Sequence, residues 1–176
     1  LSNTGIDLFH RELQLRNQDL LVRINAVAAN PNSANFNALI TPINNFKNSL
    51  FEYSWTPNAD IENAISAAYT ASIDAATAVN KARKSLNTAA ASEAQSAAML
   101  LFAANQLVES AILANRINIS GSEVDVLAAR ITAALSGYAG SGGLPPLVAA
   151  LESARTLVSG LKTESPSLKA SRSTTL

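Results

Sequence analysis

No cysteine occurs among the 176 residues of this chain, which removes disulfides, thiol nucleophiles and cysteine metal sites together and leaves the redox compartment open. His10 is the only histidine. No histidine pair is therefore present to bind zinc, and a Ser-His-Asp arrangement would have to be built on this one ring. Charge is scarce too: Asp, Glu, Lys and Arg make up 15%, against about 25% in typical soluble proteins. The thirteen basic and thirteen acidic residues cancel. That leaves no field to draw the chain onto nucleic acid, where clustered Lys and Arg supply most of the affinity. No apolar run reaches the roughly 18 uninterrupted residues of a membrane span. The opening "LSNTGIDLF" carries no charged leader with a long apolar run behind it, so a signal peptide is expected to be removed or never present. The expectation is a soluble chain with no nucleic-acid partner and no transmembrane segment.

What is present is apolar and helical in period. Hydrophobic residues make up 48%, and a single domain of this length buries roughly two thirds of its unfolded surface in one core. Ile6, Phe9, Leu13, Leu20, Ile24 and Val27, widened by Leu21 and Ala28, mark an amphipathic first helix that "NPNS" ends at Pro31. Ser33 is the expected N-cap of a second helix carrying Phe36, Leu39, Ile40, Ile43, Phe46, Leu50 and Tyr53. Pro42 inside it predicts a kink near Leu39, or a break with Thr41 capping a second piece. A third helix opens at Asn58 or Asp60 with a stripe of Ile61, Ile65, Ala68, Tyr69, Ile73, Ala76 and Val79, Ser72 lying on the same face. The cations of "NKARKS" mark its C-terminal end.

Asn87 to Ser92 reads as a break of small residues, with Ser92 and Glu93 starting a fourth helix. Its "AAMLLFAANQLVESAIL" is apolar on nearly every side, as befits a central helix. Ser122 caps a fifth, with Val124, Leu127, Ala128, Ile131, Ala134 and Leu135 inward, and a last helix runs from about Pro145 to Leu161. The fold expected is all-α: a single-domain bundle of five to six antiparallel helices over residues 1–161, its second helix kinked at Pro42, followed by a disordered polar tail or linker at 162–176.

The chemistry-bearing candidates are few. "LSGYAGSGGLPPLVAAL", Leu135 to Leu151, holds most of the glycine. A phosphate loop needs a preceding strand and inward backbone amides, and usually a lysine. Here a helix precedes, lysine is missing and proline enters the next helix, so the stretch reads as an interhelical joint. His10 reads as a surface or half-buried structural residue. No Glu-x-x-His pair occurs, which excludes a di-iron bundle site. Glu109 lies on the most apolar helix beside Asn105 and Gln106. It reads as part of a solvent-facing stripe, as one half of a pair with a neighbouring Arg, or as a polar anchor for a ligand head group inside the bundle. One histidine, no cysteine and no convergent acid pair leave little from which to build a catalytic site, so no enzyme, cofactor or metal is expected. Asn118-Ile119-Ser120 is a glycosylation triplet, with Asn118 the acceptor if the chain is secreted.

Alanine in "AISAAYTASIDAATAV" and "AAASEAQSAAMLLFAAN" either lets helices approach closely or leaves unfilled volume that larger residues line. Both readings stay open. On the second, the candidate ligand-binding lining is Phe46, Leu50, Tyr69, Ile73, Phe102, Gln106, Ile131 and Leu135.

The segment Ser122 to Leu168 sets Leu127, Ile131 and Leu135 on a helix, then Tyr138 and Gly140 in a short loop, then Leu147, Leu151 and Val158. In that order of elements it resembles the fungal hydrophobic-surface-binding and cell-wall mannoprotein family. The likeness covers about a quarter of the chain, and the element closes this chain where in the family it tends to open the domain. The resemblance implies a secreted, extracellular or cell-wall glycoprotein, a helical bundle that holds fatty acids or similar lipids or adsorbs to apolar surfaces. The function expected is non-enzymatic binding of a lipid or other apolar ligand. The alternative is a structural or assembly subunit, of a cell wall or virion, that uses apolar helix faces as interfaces.

Overall fold

A computed structural model describes residues 3–52 and 59–114, together with Ala129. Four α-helices account for all of these but 30–32, 86–87 and Ala129: α1 (Asn3–Ala29), α2 (Ser33–Glu52), α3 (Ala59–Ser85) and α4 (Thr88–Ala114), with no strand among the described residues. The all-helical expectation holds there, with four helices in place of five to six. The helices expected from Ser122 and from Pro145, the glycine stretch and the 162–176 tail lie outside the described residues.

All four helices bury residues at alternating spacings of three and four. On α1 these are His10, Leu13, Asn17, Leu20, Ile24 and Val27; on α2, Phe36, Leu39, Ile43, Phe46 and Leu50. The series on α3 is Ile61, Ile65, Ala68, Ser72, Ala75, Val79 and Ala82, and on α4 it is Ala91, Ala94, Ala98, Leu101, Asn105, Val108 and Ile112. A seven-residue repeat keeps one seam of each helix facing its neighbours, which is the packing mode of four-helix bundles. Contacts close a ring: α1 lies against α2 and α4, and α3 against α2 and α4. Short connections at 30–32 and 86–87 make α1/α2 and α3/α4 antiparallel. Arg83 near the end of α3 donates its Nε–H to Asn37 Oδ1 near the start of α2, at 2.6 Å, which sets the same sense for α2/α3.

The most extensive helix pair is α3 with α4. Both contribute alanines to the buried cluster, Ala68, Ala71, Ala75 and Ala82 from one and Ala90, Ala91, Ala94 and Ala98 from the other. At this pair alanine serves close approach. α4 also buries Phe102, Ala103, Ala104 and Gln106 beyond the seven-residue seam, although among the described helices it has two neighbours in the ring, as the others do.

Three local expectations are corrected. First, α2 runs unbroken through Pro42, with neither a kink nor a cap at Thr41. Proline cannot donate to the carbonyl four residues back, here that of Ala38. Arg23 of α1 reaches across and donates its Nη1–H to that oxygen at 2.8 Å, so the acceptor orphaned by the proline is satisfied from the neighbouring helix. Second, the cap of α2 is Asn32 and not Ser33: Asn32 Oδ1 accepts the Asn35 amide at 2.9 Å. Third, α4 begins at Thr88 rather than at Ser92, because Asn87 Oδ1 accepts the Ala90 amide at 2.8 Å and caps it. The turn is made by Leu86, which adopts a left-handed φ of 48°, a conformation that sequence reading reserves for glycine or asparagine.

Candidate functional site: a buried polar seam between α1 and α4

Two of the expected lining residues, Phe46 and Leu50, are buried and border a cavity of about 10 Å³ with Phe9, Glu12, Leu13, Arg16 and Ser49. That space admits one water at most. Arg16 lies across it, donating its Nη1–H to Ser49 Oγ at 2.8 Å. Phe102 and Gln106 are buried as well. Tyr69 is only half-buried, and Ile73 is 41% exposed, so Ile73 is corrected from lining to outer surface. The buried series of α3 passes through Ser72, one residue earlier, whose hydroxyl donates to the Tyr69 carbonyl at 2.6 Å. Ala28 of the expected α1 stripe is likewise exposed. Ile131, Leu135 and Asn118 lie outside the described residues.

A larger cavity of about 190 Å³ sits at the other end of the bundle, bordered by Pro31, Leu86, Asn87, Thr88, Ala91, Ser92 and Gln95. It includes none of the expected lining residues.

The distinctive feature of the interior is polar. His10 and Asn17 on α1, and Asn105, Gln106 and Glu109 on α4, are all buried. This overturns the surface or half-buried placing of His10 and the solvent-facing reading of Glu109. Asn17 Nδ2–H donates to the Phe102 carbonyl at 3.3 Å, and Asn105 Nδ2–H donates to Asn17 Oδ1 at 3.0 Å. These two bonds fix the relative height of the antiparallel helices. At a rise of about 1.5 Å per residue, His10 lies about 10 Å beyond Asn17 along α1, and Glu109 about 6 Å beyond Asn105 along α4, toward the same end. The two titratable groups therefore stand within about one helical turn of each other in height.

Burying five polar side chains in a bundle is costly unless each is satisfied. His10, Gln106 and Glu109 are each engaged by neighbours. Asn105 Oδ1 is buried and accepts no hydrogen bond among the described residues. The seam thus holds at least one acceptor without a donor among the described residues, beside a carboxyl and a carboxamide one helical turn or less away on α4. Asn17 and Asn105 went unrecognised as core positions because sequence reading weighs apolar residues. Their signal was the phase alone, Asn17 falling between Leu13 and Leu20, and Asn105 between Leu101 and Val108.

Among the described residues no group of three or more His, Asp or Glu side chains converges to hold a metal ion. None of the four helices is long and apolar enough to cross a membrane. Comparison with protein-family models, with curated proteins and with solved structures finds no match for this chain.

Proposed function

We propose that this chain is a secreted, non-enzymatic binding protein that holds a lipid or other apolar ligand against the helical bundle, with the ligand's polar head at the α1–α4 seam. The observation that supports it is the concentration of buried polar side chains there, Asn105 Oδ1 among them without a donor, where the other buried side chains among the described residues are, apart from Ser72, hydrocarbon. A hydroxyl, a protonated acid or an amine supplies the donor that the seam accepts, and the tail follows the apolar surface of α4. The extracellular setting rests on the resemblance of residues 122–168 and on the Asn118 triplet.

The test is to strip bound lipid by unfolding and refolding the chain, then to titrate it with a twelve-carbon alcohol, amine and fatty acid by calorimetry. Stoichiometric binding of at least one, weakened by Asn105→Leu, is the expected result. A refolded chain that binds none of the three overturns the proposal.

A second reading, a subunit that assembles through an apolar helix face, is favoured by a separate observation. Leu8, Leu15 and Val22 of α1 are 56%, 63% and 66% exposed, a row of large apolar side chains on one helix. Light scattering across a concentration series distinguishes the two readings.

A further inference from the structure

We infer that α1 is a self-association helix, pairing with α1 of a second copy in parallel about a two-fold axis along the helices; this rests on the assembly reading and gives it a face, an orientation and a partner. Leu8, Leu15 and Val22 recur every seven residues, and Ala29, also exposed, continues the series. At 100° per residue this row lies opposite the core series His10, Leu13, Asn17, Leu20, Ile24 and Val27. One helix therefore carries two seven-residue seams, one spent on the bundle and one facing out.

The residues beside the outer row choose the occupant. Along one flank run Arg11, Gln18 and Asn25; along the other run Glu12, Asp19 and Ala26, all exposed. In a parallel two-fold pair each flank lies beside the opposite flank of the other copy, as in parallel coiled coils. Arg11 then meets Glu12 of the second copy, twice by symmetry, and Gln18 meets Asp19. In an antiparallel pair each flank meets itself, which sets Glu12 against Asp19 and leaves Arg11 beside Gln18. Like charges across such a seam are destabilising. The charge pattern therefore favours the parallel pair. Asp19 is already steadied by Arg23, whose Nε–H reaches its Oδ2 at 3.0 Å. Only one residue in seven is apolar on this seam, so the interface belongs to the small, weak class, with dimer expected at concentrations of about 10 μM to 1 mM.

The chain's lack of cysteine makes orientation readable. Leu8→Cys and Val22→Cys are each expected to cross-link with themselves under mild oxidation about tenfold faster than a control cysteine at exposed Ser66 on α3. An antiparallel pair would instead link only a mixture of the two variants, and that result overturns the proposal. Sedimentation equilibrium should show a dimer that Leu15→Lys abolishes with helix content unchanged. Arg11→Glu should weaken it several-fold, and adding Glu12→Arg should restore it. Self-association that survives Leu15→Lys leaves the assembly reading standing and removes this seam. A monomer at every concentration up to 1 mM removes both.

Discussion

Arg23→Met tests the reasoning behind the uninterrupted second helix. The substitution keeps an apolar stem on α1 and removes the donor to the Ala38 carbonyl, together with the Asp19 ion pair. A hydrogen bond involving a charged group contributes about 1.5–3 kcal/mol when well buried. The Arg23 side chain is 36% exposed, which lowers the expected loss to about 1–2 kcal/mol. The ion pair with Asp19, itself 50% exposed, adds no more than about 0.5 kcal/mol. Pro42→Ala returns an amide donor to the same carbonyl, but also deletes a buried ring, worth about 1 kcal/mol of apolar burial. Its own effect is therefore a poor guide, and the coupling between the two sites is the informative quantity. With alanine at position 42 the Ala38 oxygen has a helical partner, and Arg23→Met should then cost only about 0.5 kcal/mol. Chemical denaturation followed by circular dichroism on the four chains of the cycle measures this, a coupling of about 1 kcal/mol being expected. The same loss from Arg23→Met with proline or alanine at position 42 would show that the arginine does not substitute for the missing amide.

Three further outcomes follow from the geometry. Asn32→Ala and Asn87→Ala should each lower stability by about 1 kcal/mol through lost helix caps, while Ser33→Ala and Ser92→Ala change it by less than about 0.5 kcal/mol; denaturation midpoints decide, and the reverse ranking refutes the cap assignment. Leu86→Asn should raise stability by about 0.5–1 kcal/mol, since asparagine tolerates a φ of 48° better than leucine does; a lower melting temperature would refute it. Phe46→Ala should cost about 3–5 kcal/mol and Ile73→Ala about 1 kcal/mol or less, a contrast measurable by thermal unfolding that fails if Ile73 belongs to the interior.

Much of the bundle was legible in the sequence, because large apolar residues at spacings of three and four mark a buried seam whatever the helix packs against. Phe36, Leu39, Ile43, Phe46 and Leu50 on α2 were found this way, as were Leu13, Leu20, Ile24 and Val27 on α1. What was missed depended on other kinds of information. The continuity of α2 relies on Arg23, which is remote in sequence from Pro42 and gives no local sign of its target. The Leu86 turn breaks the usual association of left-handed backbone with glycine, so the start of α4 was placed four residues late. The spacing on α3 sets Ile73 and Ser72 on one face, and of the two it is Ser72 that holds the inward phase. The candidate site is legible only in part: Asn105, Gln106 and Glu109 stand out as polar residues on an apolar helix, whereas nothing but its phase between Leu13 and Leu20 marks Asn17.

The bond between those two asparagines has a consequence for how the chain avoids misalignment. Leucine and alanine seams tolerate sliding, since one heptad looks much like the next, and a shift of about 10 Å would lay hydrocarbon against hydrocarbon at small cost. A slid α1 would instead face Asn17 with a different stretch of α4 and leave both carboxamides stranded in an apolar setting, at a penalty of about 1–3 kcal/mol each. The pair that makes the interior locally less apolar thereby gives it a single alignment among several that its aliphatic residues alone would accept.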